Sequence, residues 1–318
     1  MITKKNIFEK LIGYLKIARF DHWIKQFFIL PGCVFAYFLT KGNGLSVSWT
    51  LLLLGIFATC LIASANYIIN EYLDREFDKF HPTKKHRPVV SADLKPSIIW
   101  IEYALFSIVG LFLAWLVSLP VFLSVLALWI MGIIYNVRPI RSKEIPFVDV
   151  LSESVNNALR LFIGWFLITT LYLPPISIVI GYWMGGTFLM TTKRFAEYRM
   201  INNKETASLY RKSFKYYNEK TLLFSAFFYA MLSVFFCGVF MIKYRIELLL
   251  AIPFLCGLFC LYFSICYKHD SSAQKPEKLF KEKLLMIYVA FFIILLAILM
   301  FVSIPSLQFF LDASLKKM

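Results

Sequence analysis

The sequence predicts an all-α polytopic membrane protein, with about nine transmembrane helices around a central polar cavity open to the cytoplasmic side. Three observations carry this. Apolar residues make up 59% of the 318 and charged residues only 17%, more apolar residue than a soluble domain of this length needs. Apolar runs of about 20 residues, enough to cross roughly 30 Å of hydrocarbon, recur along the chain. Lys and Arg are also distributed asymmetrically: 28 of the 34 fall in segments on one side of a nine-span arrangement, as the positive-inside bias requires.

In chain order, residues 1–22 mix Lys4, Lys5, Glu9, Lys10, Lys16 and Arg19 with Ile7, Leu11, Tyr14 and Leu15 at helical spacing. This predicts an interfacial amphipathic helix rather than a cleavable signal. Spans are expected near 24–41, 49–72, 97–117, 119–136, 149–170, 174–195, 220–242, 246–267 and 284–304. Pro120, Pro174, Pro175 and Pro305 punctuate their ends. No linker, low-complexity tract or short repeat interrupts the chain, so 1–318 is expected to form a single domain. The long basic loops and the N-terminus belong in the cytoplasm of a bacterial inner membrane, and function is expected on that face.

The formal charge of +15 would suggest nucleic acid in a soluble protein. In a bilayer protein it points to the positive-inside bias and to anionic substrates or lipids, with no nucleic acid as partner. Cys33, Cys60, Cys237, Cys256, Cys260 and Cys266 lie in or beside apolar runs, lack metal-ligand spacing with His, and read as small buried hydrophobes. The 33 Phe read as lipid-facing surface.

The richest stretch runs from Asn66 to Asp78. Asn66, Asn70, Asp74 and Asp78 recur every fourth residue, rising about 6 Å per step on one helical face. Carboxylates at this spacing repel, and a divalent cation reverses the sign. Mg²⁺ takes one or two carboxylates and completes its shell with water and substrate phosphate oxygens. The bland alternative is a solvated helix end paired with Arg75 and Lys79, but the ladder begins inside an apolar run, where polar groups are costly. Asn70, Asp74 and Asp78 are therefore the candidate metal ligands and catalytic residues. Directly after them, His81-Pro82-Thr83-Lys84-Lys85-His86-Arg87-Pro88 places Lys84 and Arg87 as candidate phosphate ligands, because acids for a metal beside bases for phosphate suit a diphosphate ester.

A second stripe comprises Asp149, Glu153, Asn156 and Arg160, with Asn157 beside it. Arg160 sits roughly three turns into an apolar span, where an ionisable group defaults to a functional reading. It either grips a phosphate or pairs with a carboxylate such as Glu153. Tyr135, at the end of the preceding span, is a further candidate. Lys193, Arg194 and Glu197 form a third cluster, whose bland reading is an i,i+4 pair between Lys193 and Glu197.

The acidic ladder followed by Lys84-x-x-Arg87-Pro88 resembles the first signature of the UbiA superfamily of intramembrane prenyltransferases, with Glu71 where that family carries Asp. The resemblance covers essentially the whole chain. It implies nine transmembrane helices and two acidic motifs around a Mg²⁺-diphosphate site. Within the superfamily, His81-Pro82-Thr83-Lys84, Trp23-Ile24-Lys25-Gln26, Lys193-Arg194-Phe195-Ala196-Glu197 and the segment with Arg211, Ser213 and Tyr217 are similar to the decaprenyl-phosphate phosphoribosyltransferase branch. The loop from Tyr135-Asn136 to Lys143 is longer than in that branch. The branch implies phosphoribosyl pyrophosphate as donor, a polyprenyl phosphate as acceptor and Mg²⁺ as cofactor. Asn66, Lys84, Arg87, Tyr135, Glu153, Asn157, Lys193, Arg194 and Glu197 then line the substrates, and Lys25 or Arg160 orients the acceptor. The second cluster offers one carboxylate among cations, which suits an anionic acceptor or an extra phosphate.

Two alternatives stand beside this reading. The same fold moves a polyprenyl chain from its diphosphate to an aromatic or lipid acceptor, which predicts a more acidic second motif. A membrane transporter would instead need access from both sides and often shows repeats. Oligomeric state stays open between a monomer and a homo-oligomer.

Overall fold

A computed structural model describes residues 4–40, 47–81, 84–91, 94–268, 271–272, 279 and 281–310. Side chains are described from Lys10 to Leu307 within those ranges. No strand occurs among these residues. The helices are α1 (Lys4–Ile17), α2 (Leu30–Thr40), α3 (Trp49–Asp78), α4 (Pro88–Ser91), α5 (Pro96–Val117), α6 (Leu119–Asn136), α7 (Val148–Ile168), α8 (Ile176–Ile201), α9 (Lys204–Tyr210), α10 (Glu219–Tyr244), α11 (Ile252–Cys266) and α12 (Lys283–Phe301). Short 3-10 segments join several of them, the longest being Phe20–Ile29.

Among the described residues, seven helical runs are long and apolar enough to cross a membrane: Lys10–Thr40, α3, α5, α6, α10, Ile246–Cys266 and α12. The other two expected spans correspond to α7 and α8, of 21 and 26 residues. Both have the length of a span, but the polar residues singled out for function interrupt their apolar character. By length and composition the expected nine thus stand at seven.

Helix ends follow local chemistry. Ser48 caps α3 by accepting from the Leu51 N–H at 3.4 Å, and Ser118 caps α6 in the same way. Pro96 opens α5, where a missing N–H costs nothing. Arg19, two residues beyond α1 and just before the 3-10 segment, is left-handed with φ 50°.

Contacts gather the chain into two compact units. One comprises Met1–Pro174 with Tyr198–Thr221, the other Pro175–Glu197 with Leu222–Met318. In the first, α3 packs on α5 and α6, and α7 packs on α2 and α6. Its core includes Ile29, Ala58, Ile62, Val125, Leu128 and Ile163, all at most 1% exposed. A second cluster holds Ile17 and Ala18 against Ile68, Leu94 and Ile99. Leu11 and Leu15 point outward, so the buried face of α1 is carried by Ile17 rather than by those two leucines. Ile7 lies outside the described side chains.

Lipid removes most of the hydrophobic drive between helices, leaving close backbone packing as a main source of association. α2 and α7 show it directly. A Cβ on Gly32 would lie 2.1 Å from the Leu161 carbonyl oxygen, and one on Gly164 would lie 2.0 Å from that of Ile29. The two glycines form a reciprocal crossing that admits no side chain.

In the second unit, α11 packs on α12, and the Phe188 ring meets Phe259 at 4.7 Å. The cysteine expectation needs correction: Cys33, Cys60 and Cys266 are buried, Cys237 is intermediate, and Cys256 and Cys260 are exposed. The exposed pair lies four residues apart on α11, on a face left to lipid, where an apolar thiol needs no burial in protein.

Candidate active site

α3 continues through Asp78, so the four polar rungs do rise along one helix. Each meets a different element. Asn66 donates to the Leu128 carbonyl at 2.9 Å. Gly132 makes room for it: a Cβ there would fall 1.9 Å from Asn66 Oδ1. Asn70 Nδ2 donates to Asn136 Oδ1 at 2.6 Å and approaches Asp74 Oδ2 at 3.4 Å. Asp74 Oδ1 accepts from Lys143 Nζ at 2.5 Å and from Arg141 at 2.9 Å. Lys143 also donates to Asn136 Oδ1 at 2.7 Å. Burial pushes the Lys143 ammonium down to about 8, against the upward pull of the Asp74 carboxylate.

Asp78 is 1% exposed and accepts from Arg87 at 2.5 Å. Arg87 also lies 3.9 Å from Glu71, which pairs with Arg19 at 2.6 Å. Glu71, the departure from the family's Asp, is thus an ion-pair partner for two arginines. Lys84 hydrogen-bonds the Tyr210 hydroxyl, and the His81 ring packs on Tyr210 at 4.5 Å. Pro82 and Thr83 lie outside the described residues. Asp74 and Asp78 are held by different cations, and Arg87 is engaged by protein carboxylates.

α7 presents its stripe along one face. At its start Asp149, fully buried, accepts from the Tyr217 hydroxyl at 2.5 Å and the Ser213 hydroxyl at 3.1 Å, with Arg211 at 3.8 Å. The residues spaced as Arg211, Ser213 and Tyr217 therefore converge on a single carboxylate. Glu153 accepts from the Tyr135 hydroxyl at 2.9 Å, and Arg211 reaches that hydroxyl at 3.4 Å. Deeper along the helix, Arg160 donates from Nε to Gln26 Oε1 at 2.9 Å and from Nη1 to the Asn156 carbonyl at 3.1 Å and Asn157 Oδ1 at 3.4 Å.

Near the first span, Trp23 Nε1 donates to Ser64 at 2.9 Å. Lys25 Nζ lies 3.1 Å from His22 Nδ1 and 5.5 Å from the centre of the Tyr67 ring. In the second unit, Arg194 pairs with Glu197 at 3.2 Å, both nearly fully buried, an i,i+3 contact beside the i,i+4 spacing of Lys193 and Glu197.

A cleft in the first unit is lined by Asp74, Phe77, Arg141, Lys143, Glu144, Tyr210, Arg211 and Lys212. Four cations against two carboxylates leave the cleft with a net positive charge. Among the described residues no three His, Cys, Asp or Glu converge to hold a metal, so a protein-only cage is excluded there. Asp74 still fits a cation of the Mg²⁺ type. Its Oδ1 carries both cationic partners, while Oδ2 meets the Asn70 amide at 3.4 Å, and Mg²⁺ needs only one or two carboxylates when phosphates complete its shell.

The profile of the UbiA prenyltransferase family matches residues 29–296. The chain belongs to this family. It is 24% identical over 235 residues to decaprenyl-phosphate phosphoribosyltransferase of Mycolicibacterium smegmatis, covering 67% of this chain and 64% of that protein. It is 32% identical over 131 residues to 4-hydroxybenzoate octaprenyltransferase of Paraburkholderia phytofirmans, covering 40% and 44%. The chain thus spans less than two thirds of the length of these relatives. Among solved structures, a UbiA homologue from Archaeoglobus fulgidus bound to DMAPP and Mg²⁺ matches with a TM-score of 0.67 at 19% identity, over 90% of this chain and 99% of that one. A digeranylgeranylglyceryl phosphate synthase matches with a TM-score of 0.59 at 16% identity, over 90% and 98%. These likenesses show the UbiA fold.

Sequence reasoning missed Asn136, Arg141 and Lys143, which surround Asp74, and passed over Gln26 as a site residue. A signal was present for the first three. A 12-residue segment, 137–148, carries three cations directly after Tyr135-Asn136, yet it reads as an ordinary positive-inside loop. Gln26 gave no such signal, because one amide in a mixed segment is unremarkable until its partner on α7 is known.

Proposed function

We propose that this UbiA family member transfers 5-phosphoribosyl from phosphoribosyl pyrophosphate to a polyprenyl phosphate, releasing pyrophosphate, with Mg²⁺ as cofactor. The observation that carries this reading is the cationic surround of Asp74: Lys143 and Arg141 on one carboxylate oxygen, with Arg211 and Lys212 in the same cleft. Both substrates are polyanions, and a site with excess cation over carboxylate suits two of them. The single carboxylate in Lys193-Arg194-Phe195-Ala196-Glu197 points the same way, since a prenyl diphosphate donor calls for a second acidic motif.

In this mechanism Asn70 and Asp74, with Asp78 at the end of the ladder, are the residues that would hold the ion. When bound, Mg²⁺ supplies charge compensation to the departing pyrophosphate. Lys143, Arg141 and Arg211 neutralise the diphosphate oxygens and place them at the end of α3. Lys84 and Arg87 border the same region, and Tyr135 with Glu153 lines the path toward Arg160. The C1–O bond to pyrophosphate breaks with the electron pair leaving on oxygen, and a phosphate oxygen of the acceptor forms the new bond to C1. Fixed cations aimed at developing negative charge are the main protein contribution to such a step. A phosphate monoester is already nucleophilic, so no general base is required. Lys193, Arg194 and Glu197 are assigned to substrate phosphate binding on the strength of their charge alone. The basic loops support an inner-membrane location with the site facing the cytoplasm.

The test is a donor assay. Detergent-purified protein receives Mg²⁺, undecaprenyl phosphate and radiolabelled phosphoribosyl pyrophosphate, and label is followed into the organic phase. Mg²⁺-dependent transfer is expected. Label that stays aqueous, together with turnover of a prenyl diphosphate and an aromatic acceptor, would establish the reverse assignment of donor and acceptor. The similarity to 4-hydroxybenzoate octaprenyltransferase over 131 residues is what favours that second reading. Family membership lends the transporter alternative no support.

A further inference from the structure

Gln26 is one of several buried polar side chains of the first unit with an atom unmatched among the described residues. It is 5% exposed, and its Oε1 accepts from Arg160 Nε at 2.9 Å. Its Nε2 is buried without a hydrogen-bond partner among the described residues. A buried unmatched donor is costly, so a ligand that supplies an acceptor would relieve it. One helical turn from Arg160, Asn156 Oδ1 is likewise buried and unmatched among the described residues, while its Nδ2 donates to the Glu153 carbonyl at 3.1 Å. The cluster therefore presents an amide donor, a guanidinium that is 8% exposed, and one amide acceptor.

We propose that Gln26, Arg160 and Asn156 form the binding site for the phosphate monoester head of the lipid substrate, with Gln26 as its specificity-determining residue. This rests on the phosphoribosyl reading for the identity of the lipid. The donor pattern explains the choice of ligand. Gln26 Nε2 needs an acceptor oxygen, which the neighbouring guanidinium charge favours as an anionic one, and Asn156 Oδ1 needs a donor. A singly protonated phosphate monoester supplies both. A phosphate diester, with no O–H, leaves Asn156 unmatched, and a carboxylate offers neither the third oxygen nor the donor.

The surroundings favour a lipid. The segment that carries Gln26 turns Ile24, Phe27, Phe28 and Leu30 outward, an apolar face along which an isoprenoid tail can leave the bundle. The reciprocal packing of Gly32 and Gly164 fixes the Gln26–Arg160 pairing through the backbone.

The donor's 5-phosphate is also a phosphate monoester, so the experiment separates the two sources. Binding of radiolabelled undecaprenyl phosphate to purified wild-type protein, Gln26→Glu and Arg160→Met is measured without donor or metal. Binding of phosphoribosyl pyrophosphate is measured separately with Mg²⁺. Gln26→Glu keeps size and the acceptor for Arg160 but replaces the free donor with negative charge. It is expected to weaken undecaprenyl phosphate binding at least tenfold and to leave phosphoribosyl pyrophosphate binding unchanged. Arg160→Met is expected to act in the same direction on the lipid. Should Gln26→Glu fail to fold, Asn156→Asp, half-buried at the rim, puts a charge against the same phosphate and should weaken lipid binding comparably. Wild-type affinity for undecaprenyl phosphate in the variants would overturn the proposal. So would weakened donor binding with lipid binding intact, equal competition by phosphatidylglycerol, or no lipid binding by the wild type. Gln26-dependent lipid binding without phosphoribosyl transfer would retain this site and remove the phosphoribosyl reading.

Discussion

Two polar stripes of the first unit, one on α3 and one on α7, look alike in sequence and behave differently in the structure. On α3 each rung from Asn66 to Asp78 meets another element, the Leu128 carbonyl, Asn136, Lys143 with Arg141, and Arg87, with Asn66 Oδ1 the one ladder atom buried without a partner among the described residues. On α7 the stripe begins in an anchor at Asp149 and ends at Arg160, which donates to Gln26, the Asn156 carbonyl and Asn157. Asp149 is fully buried and collects Ser213, Tyr217 and Arg211, whereas Gln26 and Asn156 beside Arg160 leave buried atoms unmatched. Periodicity identifies a polar face, and the partners decide whether that face holds the fold or awaits a ligand.

The comparison can be broken at its strongest point first. Asp149→Ala strips the anchor and leaves Arg211 near a buried void, so it should destabilise the protein by about 3–5 kcal/mol, the cost of removing one member of a buried charged pair. Thermal unfolding in detergent measures this, and an unchanged midpoint would show that Asp149 anchors nothing. Asp74→Asn should act on turnover instead, lowering the initial rate by about 10²–10³, the typical effect of losing one aligned electrostatic group. Retention of activity within a few-fold would reduce the α3 ladder to a structural device. Gly164→Ala forces α2 and α7 apart and should cost about 1–3 kcal/mol, as overpacking does. A variant as stable as the wild type would mean the crossing has slack. Lys25→Ala is the smallest. Its contacts with His22 and Tyr67 are partly exposed and worth under about 1 kcal/mol, so kcat/KM for the acceptor should change by less than about fivefold. A larger loss would move the acceptor phosphate from Arg160 toward Lys25.

Much of the helical layout is legible in the sequence, because apolar runs and proline punctuation are local signals. α5 and α6 were expected at 97–117 and 119–136 and occupy Pro96–Val117 and Leu119–Asn136. The first span was less legible: a 3-10 segment from Phe20 to Ile29 replaces the start of a regular helix, and neither propensity nor hydropathy distinguishes the two. The polar positions of the candidate site were visible as residues and hidden as pairs. Arg87 reads as a phosphate ligand from its neighbours, yet its nearest carboxylates, Asp78 and Glu71, lie on a helix ending nine residues earlier. Lys143 and Arg141 lie 67 residues or more from Asp74, and no local pattern announces a contact of that separation.

The crossing of Gly32 with Gly164 sets a limit on how this chain can change. Because main chain meets main chain there, the gauge between the segment bearing Gln26 and the face bearing Arg160 is set by peptide geometry and not by side-chain volume. At the proposed lipid-phosphate site, substitutions at 26, 156 and 160 would retune which head group is accepted, while the backbone spacing stays constant. Chemical selectivity and steric tolerance are thus separately adjustable: the first through three side chains, the second only by giving up a glycine.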